Sequence, residues 1–71
     1  MAGEHRDGDE LIGMVGFVSV PIPRDGTGEV MLSVRGGTEA FAAWSDEPIA
    51  KHTRVAVVEA RSARSVTVTP C

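Results

Sequence analysis

Tyrosine is missing from this chain, and Phe17, Phe41 and Trp44 are its only aromatic residues. A platform for stacking nucleic-acid bases needs exposed aromatics set among cations, so the shortage counts against such a surface. Cations are outnumbered as well. Seven Lys and Arg face ten Asp and Glu, for a formal charge of −3, and they are scattered where a phosphate backbone would reward clustering. Cysteine occurs once, at Cys71, so no intrachain disulfide can staple the fold. A single thiol in the tail suits a reducing compartment and reads as a solvated residue. No apolar run approaches the ~20 residues of a membrane helix, and the polar start Met1–Glu10 lacks the apolar stretch of a signal peptide. On these grounds the chain reads as soluble and cytoplasmic, with any membrane attachment made through an anchor outside it.

What is present is a series of short β-branched runs separated by glycine and proline. Seventy-one residues make one small domain, with a net stability of only a few kcal/mol to be expected, roughly. Residues 1–10 read as a flexible leader with nothing to bury, and residues 11–70 as the folded domain. Leu11–Val20 (LIGMVGFVSV) is the first expected strand. Ile12, Met14, Val18 and Val20 share one parity and Val15 and Phe17 the other, so both faces are partly apolar. Gly13 and Gly16 interrupt it, as glycines do where a strand kinks or another backbone comes close. Pro21-Ile22-Pro23 halts ladder pairing for want of proline N–H groups. Arg24–Gly28 then forms a turn on Asp25-Gly26. A phosphate-cradling reading of that glycine-rich loop would need a helix after it, and a strand follows.

Glu29–Arg35 alternates, with Val30, Leu32 and Val34 on one face, the pattern of a half-buried antiparallel strand. Gly36-Gly37 signals a two-residue hairpin loop, and Thr38–Ser45 is the third strand. Of its two aromatics, Phe41 is expected inside and Trp44 at a rim or on the outer surface. The stretch Ser45–Val58 organises the remainder. Ser45–Pro48 ends one extended segment, or caps a short helical turn through Pro48–Ala50. Ile49 is an isolated apolar anchor, and Lys51-His52-Thr53 is a polar corner. Thr53–Ala60 is the fourth strand, with Val55 and Val57 inward and Val58 packing across a bulge or an end. Arg61–Arg64 connects to the fifth strand, Ser65–Thr69, with Val66 and Val68 inward. Five short strands with little or no helix imply an all-β barrel.

Chemistry is sparse. Asp46 and Glu47 are adjacent in a turn and poorly set to flank one reacting bond. His52 has no acid placed by sequence to orient it. His5, His52 and Cys71 share no metal-ligand spacing. Ser45 with Lys51 could form a nucleophile pair only if the lysine were buried beside a pocket, for which so small a barrel has little room. We expect no enzyme activity, no cofactor and no metal. As contact residues for a partner we single out Trp44, Arg35 and Arg54.

Taken together, Leu11-Ile12-Gly13 with Gly16, Gly26-Thr27-Gly28-Glu29-Val30, Phe41-Ala42-Ala43-Trp44-Ser45, Pro48-Ile49-Ala50-Lys51, Thr53-Arg54-Val55 and Val66-Thr67-Val68 resemble the C-terminal soluble domain of the NfeD-like family. The similarity covers most of the domain. Phe41 fills an aromatic slot that is commonly Trp in that family, and His52 stands where the family usually has Gly. The resemblance implies a five-stranded OB-like barrel with the usual helix after the third strand reduced to a loop. It also implies a membrane context, and association with a stomatin- or flotillin-like partner. Some longer members add a Ser–Lys protease domain; the barrel itself brings no catalytic residue.

Two functions follow as expectations. One is a protein-interaction module working with a stomatin/flotillin-type scaffold. The other is an OB-type ligand-binding module for single-stranded nucleic acid or oligosaccharide, which would need Arg24, Arg35, Lys51, Arg54, Arg61 and Arg64 to gather on one face. The inward assignment of the valines is checked by Val57→Ala, which should cost about 2–4 kcal/mol. A thermal melt that does not shift would refute it.

Overall fold

The computed structural model describes residues 10–34 and 36–71. It contains five strands, β1 (Val15–Val20), β2 (Gly28–Val34), β3 (Gly37–Trp44), β4 (Arg54–Ser62) and β5 (Ser65–Pro70). They close into a barrel in the order β1-β2-β3-β5-β4, with β4 returning to β1. All pairings are antiparallel except β3 with β5, which run parallel over Ala42–Trp44 and Ser65–Thr67. This is the all-β, five-stranded OB-like barrel expected from the strand pattern. The proposed leader falls almost wholly on residues 1–9, outside the described residues.

The interior is made of Leu11, Val18, Ile22, Val30, Leu32, Phe41, Ala43, Ile49, Val55, Val57, Val66 and Val68, and no polar or charged residue is buried among the described residues. Phe41 is inside, and Val55, Val57, Val66 and Val68 point inward as their parity requires. Two short devices cover the ends of the barrel. At one end, Ile22 and Ile49 exchange both backbone hydrogen bonds, each 2.9 Å, in an isolated bridge. That bridge lies in the β3–β4 connection, where a helix would otherwise sit. The alternative of a capped helical turn at Pro48–Ala50 does not form; the Glu47 N–H is donated to Ser45 Oγ at 3.4 Å. At the other end, a helical turn at Glu10–Leu11 places Leu11 against the core.

That turn corrects the first expected strand, which begins at Val15 rather than Leu11. Met14 N–H is donated to Leu11 O at 3.0 Å, so Leu11–Met14 reverses instead of extending. Within β1 the register shifts between Val18 and Val20. A bulge at Ser19 therefore lets Val18 face in while Val20, of the same parity, faces out. The hairpin is also one residue off expectation. Val34 pairs with Gly37, so Gly37 already belongs to β3. Gly36 has φ 78°, the left-handed conformation such a loop requires. β4 runs two residues further than expected, to Ser62. A bulge does occur at Val58, between Val57 and Glu59, but Val58 is 51 % exposed and does not pack across it.

Two backbone positions are decisive. A Cβ on Gly16 would collide with the carbonyl of Met31 in the neighbouring strand and lie 2.9 Å from Leu32 Cδ2. The missing side chain is what lets β1 lie tightly against β2. His52 has φ 76°, so it adopts the backbone a glycine would supply. The reward is a 2.7 Å hydrogen bond from its N–H to Val18 O, which ties the turn to β1. Gly16→Ala is expected to destabilise by about 3 kcal/mol, whereas His52→Gly should gain up to about 1 kcal/mol by removing the left-handed penalty of a side chain. Urea unfolding of the two variants checks both signs.

Candidate interaction surface

Barrel strands have one inward and one outward set of side chains, and the outward set here is uneven. Ile12, Val15, Phe17, Val20 and Val58 are the exposed large hydrophobics, ranging from 39 % for Val15 to 52 % for Ile12. Four of them lie on β1 or the turn leading into it. Cross-strand pairing extends the same flank. Phe17 stands opposite Met31 on β2 and Arg54 on β4, and Val15 stands opposite Ala56. Val58 is brought to this side because its neighbour Val57 is bonded at 2.9 Å to both Gly13 N and Met14 O. The result is an apolar stripe along β1 with β2 and β4 as its shoulders. Exposed apolar side chains gathered in one place mark interaction sites in a way that scattered ones do not.

Charges around the stripe are mostly engaged. At the Val20 end, Ser19 Oγ donates to Glu29 Oε1 at 2.6 Å and contacts Glu29 O at 3.2 Å. On β4, Glu59 Oε1 accepts from Thr67 Oγ1 at 3.1 Å. Arg54 is exposed and, among the described residues, its side chain makes no hydrogen bond or ion pair.

Trp44 lies on a different part of the wall. It is half-buried on the outer face of β3, where the Arg61 guanidinium covers its ring at 4.3 Å from the centroid. Arg61 Nη1 also donates to Thr67 Oγ1 at 3.4 Å. Trp44 is level with Thr67 on β5 and, beyond it, with Glu59 on β4, whereas Arg54 lies at the far end of β4, so the structure does not bring Trp44 and Arg54 together. Arg35, the third expected contact residue, lies outside the described residues. Sequence reasoning did not select Phe17, Val15 or Val20. The signal was present in the apolar character of both parities of the first strand, since only one face can enter so narrow a barrel.

Other chemistry is dispersed. Arg24 is in the β1–β2 loop, Lys51 in the turn before β4, Arg54 and Arg61 near opposite ends of β4, and Arg64 in the β4–β5 turn. Lys51 is exposed and Ser45 Oγ is occupied by the Glu47 N–H, so the two form no nucleophile pair. No group of three His, Cys, Asp or Glu side chains is placed to hold a metal among the described residues; His5 lies outside them. Beside Leu11, at the end of the barrel that it covers, a surface recess of about 220 Å³ is lined by Met14, Val34, Phe41 and Glu39. Among the described residues no helix is long and apolar enough to cross a membrane.

Comparison with known proteins agrees with this architecture. Residues 15–69 match the family model of the NfeD C-terminal domain. The solution structure of the soluble domain of the NfeD protein YuaF from Bacillus subtilis is 38 % identical, covering 87 % of this chain and 75 % of that one, with a TM-score of 0.75. The C-terminal domain of the stomatin operon partner protein 1510-C from Pyrococcus horikoshii is 29 % identical, covering 90 % of this chain and 92 % of that one, with a TM-score of 0.66. Among proteins of curated function, none matches. A barrel with this strand order, matched along nearly all its strands, makes the chain a member of the NfeD C-terminal domain family.

Proposed function

We propose that this domain is a non-enzymatic protein-interaction module that works at a membrane with a scaffold protein of the stomatin/flotillin type. The observation that carries the interaction reading is the stripe of half-exposed apolar side chains on the outside of β1. Leaving Phe17 in water forgoes burial worth about 1.5–3 kcal/mol for a full side chain, a cost that covering by a partner would remove. The stomatin-type identity is supported by the relative whose name makes it a stomatin operon partner and by membership of the same family. Trp44, already covered by Arg61, is the lesser anchor, and the contact is placed on the β1 flank.

The nucleic-acid alternative is disfavoured by charge. The outward β2 position nearest the Ser19 bulge is Glu29, and the exposed cations among the described residues do not converge.

Retention of a purified stomatin-type scaffold protein on the immobilised 71-residue chain tests this reading. Retention well above that on an unrelated OB barrel of equal charge is expected. Equal retention on both, or salt-sensitive submicromolar binding of a labelled oligonucleotide, would sink it.

A further inference from the structure

We infer that the outer face of β1 docks an amphipathic helical segment of a second protein, its apolar side resting on Phe17, Val15 and Val20 and a carboxylate meeting Arg54. This deepens the reading above, and rests on it only in taking the partner to be a protein.

The bulge in β1 is the first support. Its register shift at Ser19 interrupts the ladder and leaves Val20 48 % exposed. Regular alternation through β1 would have turned Val20 inward with Val18. Bulges re-aim side chains, and this one adds an apolar group to the flank, which Val58, outward by ordinary alternation from Val57 and 51 % exposed, extends on β4.

The mode of docking follows from hydrogen bonding. β1 is paired on both sides, to β2 through Gly16–Val20 and to β4 through Val15–Phe17. Val18 is further tied by Thr53 O at 2.9 Å and by the His52 N–H at 2.7 Å. A partner therefore cannot extend the sheet at β1, as a strand-adding peptide does; it must lie across the face and engage side chains. A six-residue strand is about 17–20 Å long, the length of three to four helical turns at about 5.4 Å each. A stripe of five half-exposed side chains offers an area on the order of 400 Å². That is short of the roughly 800 Å² per partner of a stable interface between two globular surfaces, and so fits one segment better than the flank of a second barrel.

Charge selects the segment. Glu29 and Glu59 are engaged by Ser19 and Thr67, and Arg61 lies on Trp44. Arg54, directly opposite Phe17, is the cation at the centre of the stripe without a side-chain partner among the described residues. A carboxylate beside an apolar helix face would complete it, with charge-assisted hydrogen bonds of the fork type that Arg makes.

The test is an NMR titration of the full chain with two synthetic amphipathic peptides of about 14 residues, apolar at helical i, i+3, i+4 and i+7 spacing. One carries Glu beside the apolar face and its twin carries Lys. Anionic vesicles of phosphatidylglycerol and phosphatidylcholine form a third arm. Amide shifts are expected at Val15, Phe17, Val20 and Arg54, with the Glu peptide at least fivefold tighter than its twin. Phe17→Ser should weaken it tenfold or more without lowering the melting temperature, Arg54→Glu should invert the preference, and Trp44→Ala should leave both unchanged. Shifts centred on Trp44 or the Leu11 recess, no binding of either peptide, or a preference indifferent to the sign at position 54 would overturn the inference. Stripe shifts seen with vesicles alone would assign the face to lipid instead. Loss of scaffold retention with the peptide pattern intact would remove the stomatin-type partner and leave the docking mode standing.

Discussion

Everything in this domain depends on a single strand being able to take partners on both of its edges within a very narrow cylinder. β1 is six residues long and must pair with β2 on one side and β4 on the other. Side-chain bulk at the crossing point would hold the strands apart. Gly16 solves this by having none, so that the Met31 carbonyl and the Leu32 side chain occupy the space where a Cβ would stand. Closure then turns the valines of four strands toward a common axis, and the short bridge Ile22–Ile49 and the turn carrying Leu11 shut the two ends. With no polar or charged side chain buried among the described residues, cohesion comes from apolar contact and from the backbone ladders.

The same closure fixes what the outside can do. A barrel paired all round β1 offers no template there for another strand, which protects it from edge-to-edge association. On that side the wall presents side chains alone, apolar along β1, with Glu29 and Arg54 on the strands to either side. Trp44 is treated differently. Stacking by Arg61 and the chain of contacts through Thr67 to Glu59 join β3, β4 and β5 across the outer wall. On this part of the wall the Arg61–Trp44 contact acts as a brace between β4 and β3.

Much of the barrel was legible in the residues. The alternation of Val30, Leu32 and Val34, the inward parity of Phe41, and the isolation of Ile49 between polar neighbours each reflect local burial, which sequence encodes directly. Less legible were features that exist only between strands. The bulges at Ser19 and Val58 are mismatches of register, and register belongs to the pair of strands, not to either one. The turn at Leu11 competes with extension of β1 and is decided by what the barrel end needs covered. The surface proposed for contact was harder still. Trp44 and Arg54 are conspicuous by residue type, whereas the significance of Val15 and Phe17 emerges only once closure shows that they have no interior to enter. His52 illustrates the converse. Its corner takes a left-handed backbone, φ 76°, that the residue type does not announce.

The parallel contact between β3 and β5 has a consequence for how the molecule is made. β4 reaches β3 only through β5, and β5 is the last of the five to be synthesised. Until it emerges, the gap between β3 and β4 stands open, with Val55 and Val57 covered on one side at most. Sequence-distant pairing of this kind slows folding, and partly assembled sheets are sticky. The barrel therefore depends on β5 for its closed shape, and loss of that strand would leave a four-stranded sheet with its interior laid bare.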